Sequence, residues 1–119
     1  MASVRTELGR VAYARSGDKG GNANVGLWIP QGKPDAAVDW LLETVTEDWV
    51  RTLIPEAADM QIDIVRLPNL RGVNVVIHGW LGAGVAEQVR FDPQAKALGE
   101  WLRSRVVDIP ETLLEGAVL

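Results

Sequence analysis

Residues 14–26 read Ala-Arg-Ser-Gly-Asp-Lys-Gly-Gly-Asn-Ala-Asn-Val-Gly, and the polar, glycine-rich part of this stretch lies between two apolar runs, residues 11–14 and 23–29. The glycines in this stretch allow positive φ angles and a tight reversal of the chain. Apolar and polar residues alternate in the run that follows, as they do in a half-buried strand. The stretch therefore predicts two antiparallel strands joined by a polar loop with Asp18 and Lys19 at its tip.

Composition limits the class of protein. With 119 residues the chain has enough length for one domain with one core. It contains no cysteine, which excludes disulfides and thiolate chemistry, and its net charge of −4 argues against nucleic acid or an anionic membrane as a partner. The N-terminus lacks the apolar core of a signal peptide, and no apolar run approaches about 18 residues. We therefore expect a cytoplasmic protein with no membrane segment.

The remaining elements follow from hydrophobic periodicity. Strands are predicted over residues 4–15 (best defined over 10–15), 23–29, 60–67 and 73–80, with a further strand ending near residue 91. Residues 35–54 have helical spacing that fits one bent helix or two, the second capped by Thr46, and another helix follows Asp92.

The order ββαβββα predicts an α+β sandwich, an antiparallel sheet of about four to five strands with helices packed on one face. We expect a single domain over residues 1–105. Residues 106–119 have no clear periodicity and are expected to form a C-terminal tail, docked on the domain or on a neighbouring chain.

The alternation also predicts which residues face away from the core. Tryptophans beside amides and a histidine are costly to leave in water, and such patches usually mark an interface or a ligand groove. The alternative is that a second helix or the tail covers this face within the chain. The residues predicted there are Asn24, Trp28, Asp63, Asn74, His78 and Trp80, and we assign Trp28, His78 and Trp80 to an interface.

The glycine-rich stretch is the candidate ligand site. Its backbone N–H groups could point at a phosphate or carboxylate and Lys19 could add charge, or the polar side chains could bond only their own loop. The spacing is not that of a Walker loop. The expected ligand-binding residues are Ser16, Gly17, Asp18, Lys19, Gly20, Asn22, Asn24 and Asn74.

His78 is the only histidine of the chain. It could act in general acid–base chemistry, or it could simply be a partly buried histidine on a polar sheet face. Asp63 is the acidic residue that the alternation places on the same face of the preceding strand. One histidine without cysteine does not make a metal site, so we expect no metal and no cofactor. The candidate catalytic residues are Asp18, Lys19 and His78.

Several segments taken together resemble a known family. They are residues 12–20, 22–26, 67–70, Asn74, 81–84, Asp92 and 95–99. They are similar, over about residues 8–102, to the small C-terminal ferredoxin-fold-like domain of the AtuA-like proteins of acyclic terpene utilisation. The resemblance implies a ferredoxin-like fold and a role around branched acyl-CoA or terpenoid-acid breakdown. It supplies no established catalytic residue.

Two functions from different classes follow. The first is a non-catalytic small subunit or interaction module. Because a large domain usually precedes this one in the family, we expect a stand-alone version that pairs with itself, most simply as a two-fold dimer, or with a separately encoded AtuA-like large chain. The outward sheet face or the apolar tail would meet the neighbour. The second is a small enzyme or binding protein for an anionic acyl thioester of the acyl-CoA type, held by the SGDKGGNAN stretch.

Overall fold

The computed structural model describes residues 3–19, 21–80 and 98–114, with the backbone alone at residues 18 and 19. Its elements are β1 (Ser3–Glu7), β2 (Tyr13–Lys19), β3 (Asn22–Trp28), α1 (Asp35–Thr44), α2 (Glu47–Leu53), β4 (Ile62–Leu67), β5 (Gly72–Ile77), α3 (Leu98–Ser104) and β6 (Val106–Pro110). Strands β2, β3, β5 and β4 form a four-stranded antiparallel sheet in that order, and β1 pairs with β6 in a second antiparallel sheet. No described helix is long and apolar enough to cross a membrane.

The helices cover one face of the four-stranded sheet. Burial alternates along β3, and its fully buried Val25 and Leu27 share one hydrophobic core with Val75 of β5, Leu41 of α1 and Leu102 of α3. Within the described part of the chain, no residue on the opposite face of β3 or β5 belongs to that core. The predicted α+β class with an antiparallel sheet is therefore confirmed. The element order differs from the predicted one, because the first predicted strand is divided into β1 and β2, and β6 lies in the predicted tail. Strands β1 and β6 pair with each other outside the main sheet.

The first strand was predicted over residues 4–15, but the structure divides it into β1 and β2. A 3-10 helix over Leu8–Arg10 forms a corner between them. Leu8 is fully buried, and its N–H donates to the carbonyl of Arg105 at 2.9 Å. This contact redirects the chain toward the main sheet. It joins residues far apart in sequence, so local periodicity could not reveal it.

The polar loop predicted at the glycine-rich stretch is mostly strand. Lys19 pairs with Asn22 in the β2–β3 register, so only residues 20 and 21 connect the strands. Gly21 has a φ of 91°, the left-handed backbone that a two-residue hairpin turn requires. Residue 20 lies outside the described residues. The loop prediction is wrong because a short turn absorbs the reversal and leaves residues 15–19 free to pair.

Residues 35–54 form two helices, which resolves the alternative that the sequence left open. Thr46 caps the second helix as predicted, since its Oγ1 accepts a hydrogen bond from the N–H of Trp49 at 3.1 Å. Arg66 donates from Nε to the carbonyl of Leu42 at 2.8 Å, which satisfies an acceptor near the end of α1. The break between the helices is therefore stabilised by side chains on both sides.

Residues 106–114, the first part of the predicted C-terminal tail, form regular structure that the lack of periodicity did not indicate. Residues 106–110 are β6, and a 3-10 helix follows over Glu111–Leu114. Ile109 is fully buried and Leu113 is 5% exposed, so these apolar side chains pack in the core of their own chain and do not await a neighbour. Residues 115–119, the strand predicted near residue 91 and the helix start predicted at residue 92 lie outside the described residues.

Arg71 ties the turn between β4 and β5 to the segment that leaves β3. Its backbone is left-handed, with a φ of 60°. Its guanidinium donates to the carbonyls of Ile29 (3.0 Å), Pro30 (3.3 Å) and Lys33 (3.1 Å), and it pairs with Asp35 at 2.9 Å. These carbonyls belong to an irregular segment that has few backbone partners. One side chain thus holds the two hairpins of the sheet in position.

Candidate functional site

The sheet surface opposite the helices, here called the outer face, carries the candidate functional residues. The strand register arranges them in rows that cross the sheet. One row contains Gly17, Asn24, Val76 and Asp63, and the next contains Arg15, Gly26, Asn74 and Val65. Asn22 of β3, Trp28 of β3 and His78, which follows β5, complete the outer face.

A hydrogen-bond network joins four side chains at one end of the outer face. His78 Nε2 lies 2.7 Å from Asp63 Oδ2, and His78 Nδ1 lies 3.5 Å from Asn22 Nδ2. Asn22 Oδ1 accepts the N–H of Gly79 at 2.9 Å, and Gln61 donates to Asp63 Oδ1 at 3.3 Å. Strands β3 and β4 and the end of β5 each contribute to this network, so its geometry depends on the sheet register.

The hydrogen-bond partners indicate which atoms of this network donate and which accept. The N–H of Gly79 occupies Asn22 Oδ1, which leaves the amide nitrogen of Asn22 to face His78 Nδ1. With Nε2–H as the donor to Asp63, Nδ1 is the ring nitrogen available to accept from the amide of Asn22. The pKa of the Asp63 carboxyl lies below its usual value, chiefly because it accepts the hydrogen bond from His78, and secondly because of Gln61.

This arrangement is able to move a proton. A carboxylate that orients an imidazole through one nitrogen leaves the other nitrogen as the basic site. The His78 side chain is 37% exposed and that of Asp63 is 51% exposed, so both are open to solvent. In the described part of the chain, no three metal-ligating side chains come together.

Ser16, expected among the ligand-binding residues, lies apart from this network. Its Oγ accepts the N–H of Gly99 at 2.7 Å, which places it against α3 on the helix side of the sheet. A Cβ at position 99 would lie 3.2 Å from that Oγ and 3.3 Å from the Cβ of Ala14. Ser16 therefore contributes to the close packing of α3 on β2, and the structure does not bring it to His78.

The structure brings only part of the predicted ligand site together. Asn22 reaches His78, as the network above shows. The backbone of Lys19 pairs with Asn22 and that of Asp18 with Ala23, but the side chains of residues 18 and 19 lie outside the described part, as does Gly20. The anion cradle expected of a long glycine loop is not formed by the described residues, because residues 16–19 are in extended pairing.

The middle of the outer face is flat because it carries glycines. A Cβ at Gly17 would meet nothing within 4 Å, and a Cβ at Gly26 would meet only the carbonyl of Arg15 at 3.9 Å. Neither glycine has a positive φ. Packing against the described residues and backbone geometry therefore do not require glycine at either position. Beside them, Oδ1 of Asn24 is buried and has no hydrogen-bond partner among the residues that the structure describes.

The two tryptophans assigned to the interface lie in different environments. Trp28 is half-buried on the outer face, where its ring meets the ring of Tyr13 edge-on at 5.9 Å. Trp80 is only 1% exposed and packs against Trp101 at 6.2 Å, so its assignment to an interface is wrong. The reason is that β5 ends at Ile77 and Gly79 turns the chain with a φ of 78°, which interrupts the alternation before Trp80.

Sequence reasoning missed Arg15 as a residue of the outer face. It is exposed, and no hydrogen bond, ion pair or ring contact joins it to another described residue. It was missed because the first strand was predicted to end at Arg15 and residues 16–19 were assigned to a loop, so the alternation was not carried across the hairpin. Extending the alternation of β3 across the hairpin would have placed Arg15 and Gly17 beside Gly26 and Asn24.

Comparison with family models identifies one match, the AtuA ferredoxin-like domain, over residues 6–108. The match extends beyond the region of about residues 8–102 expected from the sequence and includes the first residues of β6. No curated protein and no solved structure matches the chain. Since the family model covers most of the 119 residues, the chain belongs to the AtuA ferredoxin-like domain family.

Proposed function

We propose that this chain is an interaction module that associates with a second copy of itself through the outer face. The observation that carries the proposal is the pair of outward glycines, Gly17 and Gly26, which no contact with the described residues and no positive φ requires. A glycine inside a strand costs conformational entropy and gives no packing in return. A partner surface that approaches the sheet closely would account for both.

The composition of the outer face fits an interface between protein chains. Val65 is 48% exposed, and Trp28 is half-buried beside uncharged amides. Such a mixture of apolar and amide groups resembles the composition of non-obligate interfaces. The buried and unpartnered Oδ1 of Asn24 lies in the same area.

The size of the outer face sets the expected strength of association. Four strands about 4.8 Å apart, with six or seven residues of about 3.4 Å each, cover roughly 420 Å² in projection. Two copies with side-chain relief would bury about 1,000 Å² in total, which lies at the lower limit for a specific interface. We therefore expect a dimer that dissociates on dilution, with a Kd in the micromolar range or above.

Two valines of equal exposure provide a matched test. Val65 lies on the outer face and Val106 on β6 of the other sheet, and each is 48% exposed. Sedimentation equilibrium from about 1 μM to 1 mM should give a concentration-dependent dimer for the wild type. Val65→Lys should weaken it at least tenfold, and Val106→Lys should leave it unchanged. Equal effects of the two substitutions, or a wild type that stays monomeric, would refute the proposal.

A separately encoded AtuA-like large chain is the other occupant that the family suggests. Binding of such a chain is one possible result of the same experiment. If the wild type is monomeric alone but binds such a chain, and Val65→Lys abolishes that binding, the outer face is an interface for a different partner and the dimer proposal is wrong. The proposal includes a cytoplasmic setting, which rests on the cysteine-free composition.

A second candidate function is favoured by the contact of His78 with Asp63 at 2.7 Å. It is a small enzyme or binding protein for an anionic acyl thioester, in keeping with a role around branched acyl-CoA or terpenoid-acid breakdown. His78 Nδ1 would accept a proton from the bound molecule while Asp63 holds Nε2–H. Lys19 and the turn at residues 20 and 21 would attract the anionic part.

The single histidine makes this candidate simple to test. Coenzyme A serves as the probe, and the ¹⁵N spectrum of histidine-labelled protein reports on His78 alone. Binding should shift the His78 resonances and should be lost in Lys19→Ala combined with Gly20→Val. Unchanged His78 resonances at millimolar coenzyme A, or equal affinity of the double variant, would contradict it.

A further inference from the structure

The outer face carries opposite charges on its two edge strands. Arg15 lies on β2 and Asp63 on β4, with β3 and β5 between them. Three strand spacings separate the two residues by about 14 Å across the sheet, and they lie one row apart, about 7 Å along the strands. Arg15 therefore does not meet Asp63 within one sheet, and no other described residue pairs with it.

A two-fold axis that runs parallel to the strands would bring these charges together. Such an axis, placed between the two copies over the boundary of β3 and β5, sets β4 of one copy above β2 of the other. A two-fold rotation includes no translation along its axis, so each row of residues faces the same row of the second copy. Arg15 then lies above Val65 of the second copy, one row from its Asp63, within the reach of an arginine side chain.

The same axis matches the shapes of the two surfaces. Gly17 would lie above Asp63 of the second copy, and Gly26 above its Asn74. In each case a glycine of one copy leaves space for the side chain of the residue that faces it in the other copy. An axis perpendicular to the strands would instead set β2 of one copy above β2 of the other. Arg15 would then lie near Arg15 of the second copy, and Asp63 near its Asp63. Like charges would then face each other, which disfavours that arrangement.

We infer that two copies of this chain associate face to face about an axis parallel to the strands, with Arg15 of each copy paired with Asp63 of the other. The inference rests on the proposed function, since it names the arrangement of the same interface. By symmetry the ion pair forms twice. In each copy it adds a cation to the carboxylate that already accepts the hydrogen bond from His78.

A charge exchange tests the pairing. Arg15→Asp and Asp63→Arg should each weaken the dimer at least tenfold in sedimentation equilibrium, because each sets like charges against each other twice. The double variant, Arg15→Asp with Asp63→Arg, should restore the wild-type Kd to within about threefold. The wild-type Kd should also rise with salt concentration. Circular dichroism of each variant verifies that it is folded.

The second sheet provides the control. Arg5 pairs with Asp108 at 3.3 Å within the chain, and both side chains are about as exposed as residues of the outer face, at 65% and 63%. Arg5→Asp should leave the Kd unchanged. If Arg15→Asp and Asp63→Arg dimerise like the wild type, or if the double variant is no better than the single ones, the pairing is wrong while the proposed function stands. A wild type that is monomeric up to 1 mM overturns both.

Discussion

Substitution of Gly72 is expected to reduce the stability of the fold, because position 72 has no room for a Cβ. Gly72 begins β5 and faces Trp28 of β3 in the register. A Cβ built there would lie 2.8 Å from the Cβ and 2.9 Å from the Cα of Trp28, and closer still to the carbonyl oxygen of Leu27. Two of these obstacles are backbone atoms, which cannot rotate away. Gly72→Ala must therefore push β3 and β5 apart at the centre of the sheet.

The cost follows from two contributions. Overpacking in a well-filled region costs about 1–3 kcal/mol. Separating the strands also lengthens ladder hydrogen bonds near Trp28, each worth about 1 kcal/mol. We expect Gly72→Ala to lower the free energy of unfolding by about 3 kcal/mol. For a chain of this size, each kcal/mol shifts Tm by about 3–6 °C, so the expected decrease is roughly 10–15 °C.

Gly26→Ala is the matched control, because position 26 has room for a Cβ. Urea and thermal unfolding, followed by circular dichroism at a concentration where the chain is monomeric, should give Gly26→Ala a stability within about 0.5 kcal/mol of the wild type, or higher. The same variant should dimerise more weakly if a partner approaches the outer face. A loss below 1 kcal/mol in Gly72→Ala, or equal losses in the two variants, would refute the reasoning from close approach.

Three further substitutions test other contacts by urea unfolding. Thr46→Ala removes the acceptor for the N–H of Trp49 and should cost about 1 kcal/mol; an unchanged midpoint would mean that the cap contributes nothing. Arg71→Met removes a side-chain donor from three main-chain carbonyls, of which only that of Pro30 keeps a backbone donor, the N–H of Lys33, and should cost about 3 kcal/mol, so a loss below 1 kcal/mol would contradict its bridging role. Asp63→Asn removes a carboxylate whose pKa is lowered on folding. The difference in the free energy of unfolding between variant and wild type should therefore be constant above the usual aspartate pKa of about 3.9 and shrink as the pH falls further. A difference that does not change between about pH 2 and 5.5 would refute this role of Asp63.

Local sequence patterns predicted the elements whose faces differ in polarity. The alternation over β3 and β5 placed Val25 and Val75 in the core correctly, because one face of each strand packs against helices. Thr46 was recognisable as a cap from its residue type and the acidic residues after it. By contrast, β6 has only five residues and pairs with β1 about a hundred positions away. Its apolar residues gave no local sign of that partner.

The site was predictable where it depended on alternation alone. Asp63 and His78 were placed on one face from their positions in two neighbouring strands, and the structure joins them directly. The error lay in the glycine-rich stretch, where glycine was taken to indicate a loop. Glycine permits a turn but does not require one, and only Gly21 of the described glycines in that stretch uses a positive φ. The glycine at position 17 belongs to a different feature, the flat centre of the outer face.

The character of the outer face follows from how the chain divides its apolar residues. Helices α1, α2 and α3 occupy one side of the main sheet, and β6 contributes Val107 and Ile109 to the same core. The outer face is left with amides, glycines, two valines, Trp28 and His78 beside two oppositely charged edges. It is too polar to form the permanent core of an obligate dimer. Its mixture of apolar, amide and charged groups is in keeping with the reversible dimer that we propose.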